Sequence, residues 1–200
     1  MFIIGICGGS ASGKTFICNQ LYKLLIKTHK TQIIHQDDFY NDIPNDVTLE
    51  NYDFDCPEAL NLNKFKDTIC SLKNENSVQV PIYNHTIHKS IGTRMIDQCD
   101  ILLVEGIFVF VDDELRKLYD LTIYVDASSE VRFSRRIYRD ISNERKLNEI
   151  ITRYLKFIKP AYDKYIHPTK ISANIVIIND ESDAINFEYI ISIISDKLKN

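Results

Sequence analysis

Short runs rich in Ile, Val and Leu recur along this chain at 2–7, 32–36, 100–105, 121–126 and 174–179. Longer stretches lie between them, in which apolar residues return every three or four positions. Continuous apolar runs of this length predict strands buried on both faces. The helical period predicts helices over 13–29, 57–74, 112–119, 128–141, 147–164 and 182–198. Alternation of the two predicts an α/β fold, a parallel sheet of about five strands with helices on both faces. One segment breaks the pattern. Val78 to Tyr83 and Ile87 to Met95 read as a β-hairpin inserted at about 77–95, and Pro81 suits an edge strand because it has no N–H to give a ladder. With no linker, repeat or low-complexity segment, residues 1–200 read as one domain.

Parallel sheets of this kind take ligands at the carboxyl ends of their strands. The first strand ends in Gly8-Gly9-Ser10-Ala11-Ser12-Gly13-Lys14-Thr15, which fits G-x-x-x-x-G-K-[ST] between a strand and a helix. The pattern is that of a P-loop. Gly8 and Gly13 let the backbone wrap a phosphate so that N–H groups point inward. The helix beginning near Gly13 adds its unpaired donors and dipole. Lys14 is placed to reach the β- and γ-phosphates, and the Thr15 hydroxyl to hold Mg²⁺. A Gly-rich turn without a ligand is the alternative, and the strand–loop–helix context weighs against it.

Three further constellations accompany this loop. Asp37 and Asp38 follow the second strand, where a kinase needs an acid to orient and deprotonate an attacking hydroxyl; a solvated acidic loop would look the same. Glu105 ends the apolar run Ile101-Leu102-Leu103-Val104, as expected of an acid in the metal shell beside Thr15. Arg132, Arg135, Arg136 and Arg139 share one helical face, suited either to phosphate oxygens or to pairing with Asp126, Glu130 and Asp140 on a solvated surface. Arg145 and Lys146 follow in a polar stretch at about 139–148 that could close as a lid. Asp55 reads equally as a cap before Pro57, and Tyr83 and His88 as ordinary polar side chains of the hairpin.

Composition narrows the class. A 44% hydrophobic content over 200 residues supports one well-packed domain, and a net charge of −4 argues against a general nucleic-acid binder. No window is apolar for the roughly eighteen residues that a membrane helix requires. The apolar strand at residue 2 leaves no room for a targeting peptide before it, which predicts a cytoplasmic protein. Five scattered cysteines without C-x-x-C spacing read as free thiols.

GGSASGKT, QDDFY, DFDCPEAL, PIYNHTIH, LLVEGIF, VRFSRRIYRDI and KPAYDKYIHPTKISANIVI occur in the order and spacing of the uridine–cytidine kinases. The chain resembles that family from Ile3 to about Ile178. The resemblance implies Mg²⁺-dependent transfer of phosphate from ATP or GTP to the 5′-hydroxyl of uridine and cytidine. Asp37 would be the general base and, with Thr15 and Glu105, would also hold the metal, and Asp55 would bind the ribose hydroxyls. Tyr83 and His88 would contact the pyrimidine. Tyr40, Arg136 and Arg153 would complete the nucleoside site, with Arg135 and Arg139 on the ATP side. A homo-oligomer, tetrameric in the family, is also implied, with no nucleic-acid or membrane partner. The chain departs from the family in carrying Asn84 for Asp, Ser90 for Arg, Arg153 for Gln, and a lid one residue shorter.

Two other functions compete with this one. A guanine-nucleotide switch would need N-K-x-D, and the nearest string, Asn63-Lys64-Phe65-Lys66-Asp67, is one residue too long and lies in a helical pattern. A P-loop kinase of another nucleoside or a vitamin precursor such as nicotinamide riboside would share the phosphate-binding motifs.

Overall fold

The computed structural model describes every residue except 75, 76, 181–184 and 200. Its strands are β1 (Phe2–Gly8), β2 (Thr31–His35), β3 (Ser77–Asn84), β4 (Lys89–Asp97), β5 (Ile101–Gly106), β6 (Leu121–Asp126) and β7 (Ile175–Ile178). Five of these pair in parallel in the order β2-β5-β1-β6-β7, and β3 and β4 form a separate antiparallel hairpin. The predicted α/β sheet and the inserted hairpin are both present. Pro81 sits in that two-stranded ribbon opposite Thr93, in a sheet that has no central strand.

Strand side chains alternate between faces, and in this sheet both faces are covered. Ile3 and Cys7 join Ile34, Leu102, Val104 and Tyr124 in one core. Ile4 and Ile6 join Leu103, Ile123 and Val125 in the other. Helices α1 (Lys14–Leu25) and α7 (Phe187–Lys199) cover the second face through Ile17, Leu21, Ile190 and Ile194. Helix α2 (Leu62–Asn74), the segment 107–119 with its short helix α3 (Asp113–Arg116), and the chain around Tyr162 cover the first. No helix among the described residues is long and apolar enough to cross a membrane.

The predicted boundaries shift where a local interaction outweighs periodicity. The expected helix over 57–74 is divided. Pro57–Ala59 makes one short turn, Leu60 bridges back to Tyr40, and Asn61 then caps α2 by accepting the Lys64 N–H at 3.0 Å. The expected helix over 13–29 ends at Leu25, before a polar run, Lys27 to Lys30, that has no apolar face to bury. Helix α4 (Ser129–Ser142) matches closely, capped by Ser128. The expected helix over 147–164 runs as α5 (Leu147–Arg153) and α6 (Lys159–Ala161), with wide π turns at Tyr154–Ile158 and Tyr162–Ile166. Each π turn begins at a tyrosine stacked on α4: Tyr154 against Phe133 at 4.3 Å, and Tyr162 beneath Arg132 at 3.6 Å. In the expected helix over 182–198, residues 182–184 lie outside the described residues.

Phe65 of α2 is fully buried and meets Phe39 edge-on at 5.0 Å, directly beneath the short turn Gln36–Phe39 that carries Asp37. Phe65→Ala removes this support and leaves a cavity. Urea unfolding is expected to show a loss of about 3–5 kcal/mol relative to the wild type.

Candidate active site

The loop after β1 is shaped by close contacts and two left-handed residues. Ala11 has φ 63° and Gly13 has φ 94°. A side chain at Gly13 would also run into Asn179, so both conformation and space require glycine. A Cβ on Gly9 would lie 2.9 Å from the Tyr162 ring and 3.0 Å from the Arg132 guanidinium. Helix α1 starts at Lys14 with no capping side chain and no acid in its first turn. Its first N–H groups are thus left to an incoming anion.

Lys14 is only 9% exposed, and its charge acts on two carboxylates, Asp37 and Glu105. Glu105 is buried at the end of β5. Its Oε1 lies 2.8 Å from His35 Nδ1, and the Thr15 hydroxyl donates to its two oxygens at 3.3 and 3.4 Å. Burial alone would raise the Glu105 carboxyl. The His35 hydrogen bond, with Lys14 and Thr15, outweighs that and holds it below the ordinary carboxylate value. The same bond lifts His35 above its usual value, against the effect of burial. Asp37 goes the other way. Burial raises its carboxyl, Lys14 opposes the rise, and the neighbouring Glu105 charge adds to it. Two adjacent acids are thereby driven apart, one held ionised and the other made more basic.

Among the described residues, no group of three or more His, Cys, Asp or Glu side chains is placed to hold a metal ion by itself. The Thr15 hydroxyl and the ionised Glu105 are hard oxygen donors at the phosphate end of the loop. They fit an ion such as Mg²⁺, which keeps waters and takes phosphate oxygens for most of its shell.

Beyond Asp37 lies an aromatic cluster. The Tyr40 ring meets Tyr83 at 5.6 Å, Phe54 at 5.8 Å and His85 at 6.1 Å, and Phe54 stacks on His88 at 4.8 Å. The Tyr40 hydroxyl donates to the Phe54 carbonyl at 3.1 Å. Two polar atoms in this cluster, Tyr83 Oη and His88 Nδ1, are buried without a partner. Burial, then Arg145, lowers the His88 pKa from its ordinary 6.5, keeping the ring neutral. Asp55 stands close enough to feel both Arg136 and Asp37, and burial raises its carboxyl. Cys56, not Asp55, is the cap position of the turn Pro57–Ala59, so Asp55 is not its cap.

The hairpin is tied to this site. Arg94 reaches Asp38 at 3.3 Å, and the Ser90 N–H donates to Asp42 at 2.9 Å. Asn84 Oδ1 accepts the N–H groups of Thr86 and Ile87, so the amide supplies the acceptor that a carboxylate would supply in the same turn.

The arginine stripe on α4 divides by role. Arg132 donates to the Ala127 carbonyl and stacks on Tyr162. Arg135 donates to the carbonyls of Asn179 and Asp180 at 2.8 and 3.2 Å. Arg136 donates to Ser10 Oγ in the phosphate loop at 2.8 Å. Asp140, 3% exposed, gathers Arg136 at 3.2 Å, Arg139 at 2.9 Å and Arg145 at 4.0 Å. Arg153 does not point freely at a ligand: it donates to the carbonyls of Leu49 and Tyr52, both at 3.0 Å, and packs over Phe54. Sequence reasoning missed His35, Phe54 and Asn179, and weighed Asp140 only as a surface partner. The usable signals were the place of His35 and Asn179 at the carboxyl ends of strands and that of Asp140 one turn beyond Arg136.

Comparison with known proteins follows the same lines. A family profile described as phosphoribulokinase / uridine kinase matches residues 3–185. A uridine-cytidine kinase B of Dictyostelium discoideum is 35% identical over 98% of this chain and 82% of its own length. A uridine kinase of Limosilactobacillus reuteri is 36% identical over 88% and 82%. A chloroplastic uridine/cytidine kinase of Arabidopsis thaliana is 33% identical over 98% of the chain, which spans only 42% of that longer protein. Among solved structures, a phosphoribulokinase from Rhodobacter spheroides superposes with a TM-score of 0.66 at 18% identity, covering 88% of this chain and 69% of that one. This likeness is one of fold.

Asp140→Asn leaves two or three guanidinium groups without a full counter-charge. Thermal and urea unfolding are expected to show a loss of about 3 kcal/mol, near the low end for a broken buried pair because Arg139 and Arg145 are half exposed.

Proposed function

The chain belongs to the phosphoribulokinase / uridine kinase family, and on that premise we propose that it transfers the γ-phosphate of ATP or GTP to the 5′-hydroxyl of uridine and cytidine. One observation carries the reading: two carboxylates, Asp37 and Glu105, flank the lysine of a phosphate loop and have opposed proton affinities.

The nucleoside sits with its base in the cluster of Tyr40, Phe54, Tyr83 and His88, where Tyr83 Oη and His88 Nδ1 are free to bond its polar edge. Asp55 binds the ribose hydroxyls, close to Arg136. Asp37 accepts the proton of the 5′-hydroxyl as the O5′–P bond forms and the bond from γ-phosphorus to the β-phosphate oxygen breaks. A base whose affinity for protons is raised performs this task better than an ordinary aspartate. Lys14 and the N–H groups of the loop hold the β- and γ-phosphates. Thr15 and Glu105 would hold Mg²⁺, which would supply neutralisation of the polyphosphate charge. Arg136 and Arg139 stabilise the charge that spreads over the transferring group, and Arg145 closes with the lid to exclude water.

The reading is tested by ADP release with Mg·ATP in parallel on uridine, cytidine, adenosine, thymidine and nicotinamide riboside. Turnover confined to the first two is expected. Turnover only with nicotinamide riboside would reassign the aromatic cluster to another acceptor while keeping the phosphoryl chemistry. Asp37→Asn is expected to lower kcat by at least about 100-fold, the scale of a lost general base. Uridine binding by calorimetry should stay within about two-fold, and a fully active variant would remove Asp37 from the mechanism.

His88 adds a pH dependence. Its folded pKa lies below 6.5, so the ring acquires its charge, beside Arg145 and Arg153, in more acid solution than an ordinary histidine does. Uridine affinity is expected to be flat at alkaline pH and to fall in acid solution. In His88→Gln the fall should be absent.

A further inference from the structure

Asn179 stands at the carboxyl end of the last strand, outside every segment the proposed mechanism uses. It is 3% exposed and held on three sides. Its own N–H donates to the Asp126 carbonyl at 2.7 Å, and its carbonyl accepts from Arg135 at 2.8 Å. Its side-chain Nδ2 donates to the Ser12 carbonyl at 2.8 Å. Ser12 belongs to the phosphate loop, 167 positions earlier in the chain. The left-handed Gly13 follows it and has no room for a side chain against this same amide. Asn179 Oδ1 is buried without a partner, so the amide is oriented by the bond that its nitrogen makes.

That bond has a consequence for the anion site. In a planar trans peptide the C=O and the next N–H point in opposite directions. A Ser12 carbonyl pinned outward toward Asn179 therefore aims the Gly13 N–H to the inner side of the loop, where a phosphate would lie. If the peptide turned over, a carbonyl oxygen would face the phosphate and a donor would be lost. We propose that Asn179 is a positioning residue of the phosphate cradle, locking the Ser12–Gly13 peptide with its donor turned toward the polyphosphate. Arg135 serves the same end indirectly, by fixing the Asn179 backbone from α4.

The inference rests on the nucleotide-binding role of the loop, so the test reads nucleotide and nucleoside binding separately. Mg·ADP and uridine are titrated by calorimetry against the wild type, Asn179→Ala and Asn179→Asp, with circular dichroism confirming the fold. In Asn179→Ala, Mg·ADP affinity is expected to fall about 10-fold and KM for ATP to rise in parallel, with uridine affinity and KM unchanged. Asn179→Asp keeps the shape but sets an oxygen against the Ser12 carbonyl, and should lose at least as much. If Asn179→Ala fails to fold, the near-isosteric Asp variant carries the same comparison. Unchanged Mg·ADP affinity in a folded variant would overturn the proposal, as would equal losses for both ligands. A wild type that binds no Mg·ADP would instead overturn the functional reading on which it rests.

Discussion

A lysine ammonium with little access to water needs negative charge around it, and most of this site is arranged by that need. Lys14 follows a glycine loop at the start of α1, and the carboxylates that answer its charge arrive from two other strands. Glu105 comes from β5, which pairs directly with β1, so its distance from the loop is set by the sheet register opposite Ile6. Asp37 comes from the turn that follows β2, the neighbour of β5 on its other side. The two acids do not behave alike because their remaining partners differ. Glu105 has His35 and Thr15; Asp37 has burial and the repulsion of Glu105. Two acids of opposed proton affinity therefore stand beside one lysine.

The other half of the site is assembled outside the five-stranded sheet. The turn bearing Asp37 is stitched to residues 59–61 by backbone bonds through Asn41, Asn61 and the Tyr40–Leu60 bridge. The hairpin packs Val78, Val80 and Ile96 into the same core as Phe39 and Phe65, and the Arg94–Asp38 pair and the Ser90–Asp42 bond, both partly exposed, tie its rim to that turn. Exposed pairs of this kind contribute about 0–1 kcal/mol each.

Much of this was legible in the chain. The strands were readable because each is a short, continuously apolar run, and P-loop spacing implies its own chemistry. The order of the strands was not readable, since it depends on crossovers rather than on any local pattern. The break at Leu60 was hidden in a helical period; Pro57 and Asn61 were the signals, and tertiary pairing with Tyr40 decided the outcome. The arginine stripe was visible as a stripe, but its division of labour was not. Arg135 and Arg153 spend their donors on backbone carbonyls far away in sequence, and Asp140 gathers three neighbours that a helical wheel only places nearby. Asn179 showed only its place at the end of a strand, because its partner lies at the opposite end of the chain.

The central claim is that the γ-phosphate passes to a nucleoside 5′-hydroxyl held against Asp37. Phosphorus NMR of the wild-type protein with Mg·ATP and uridine tests it most directly. The expected product is a phosphomonoester whose phosphorus couples to the 5′-methylene protons, formed in step with ADP. Inorganic phosphate as the sole new signal, or a monoester on the 2′- or 3′-oxygen, would contradict it.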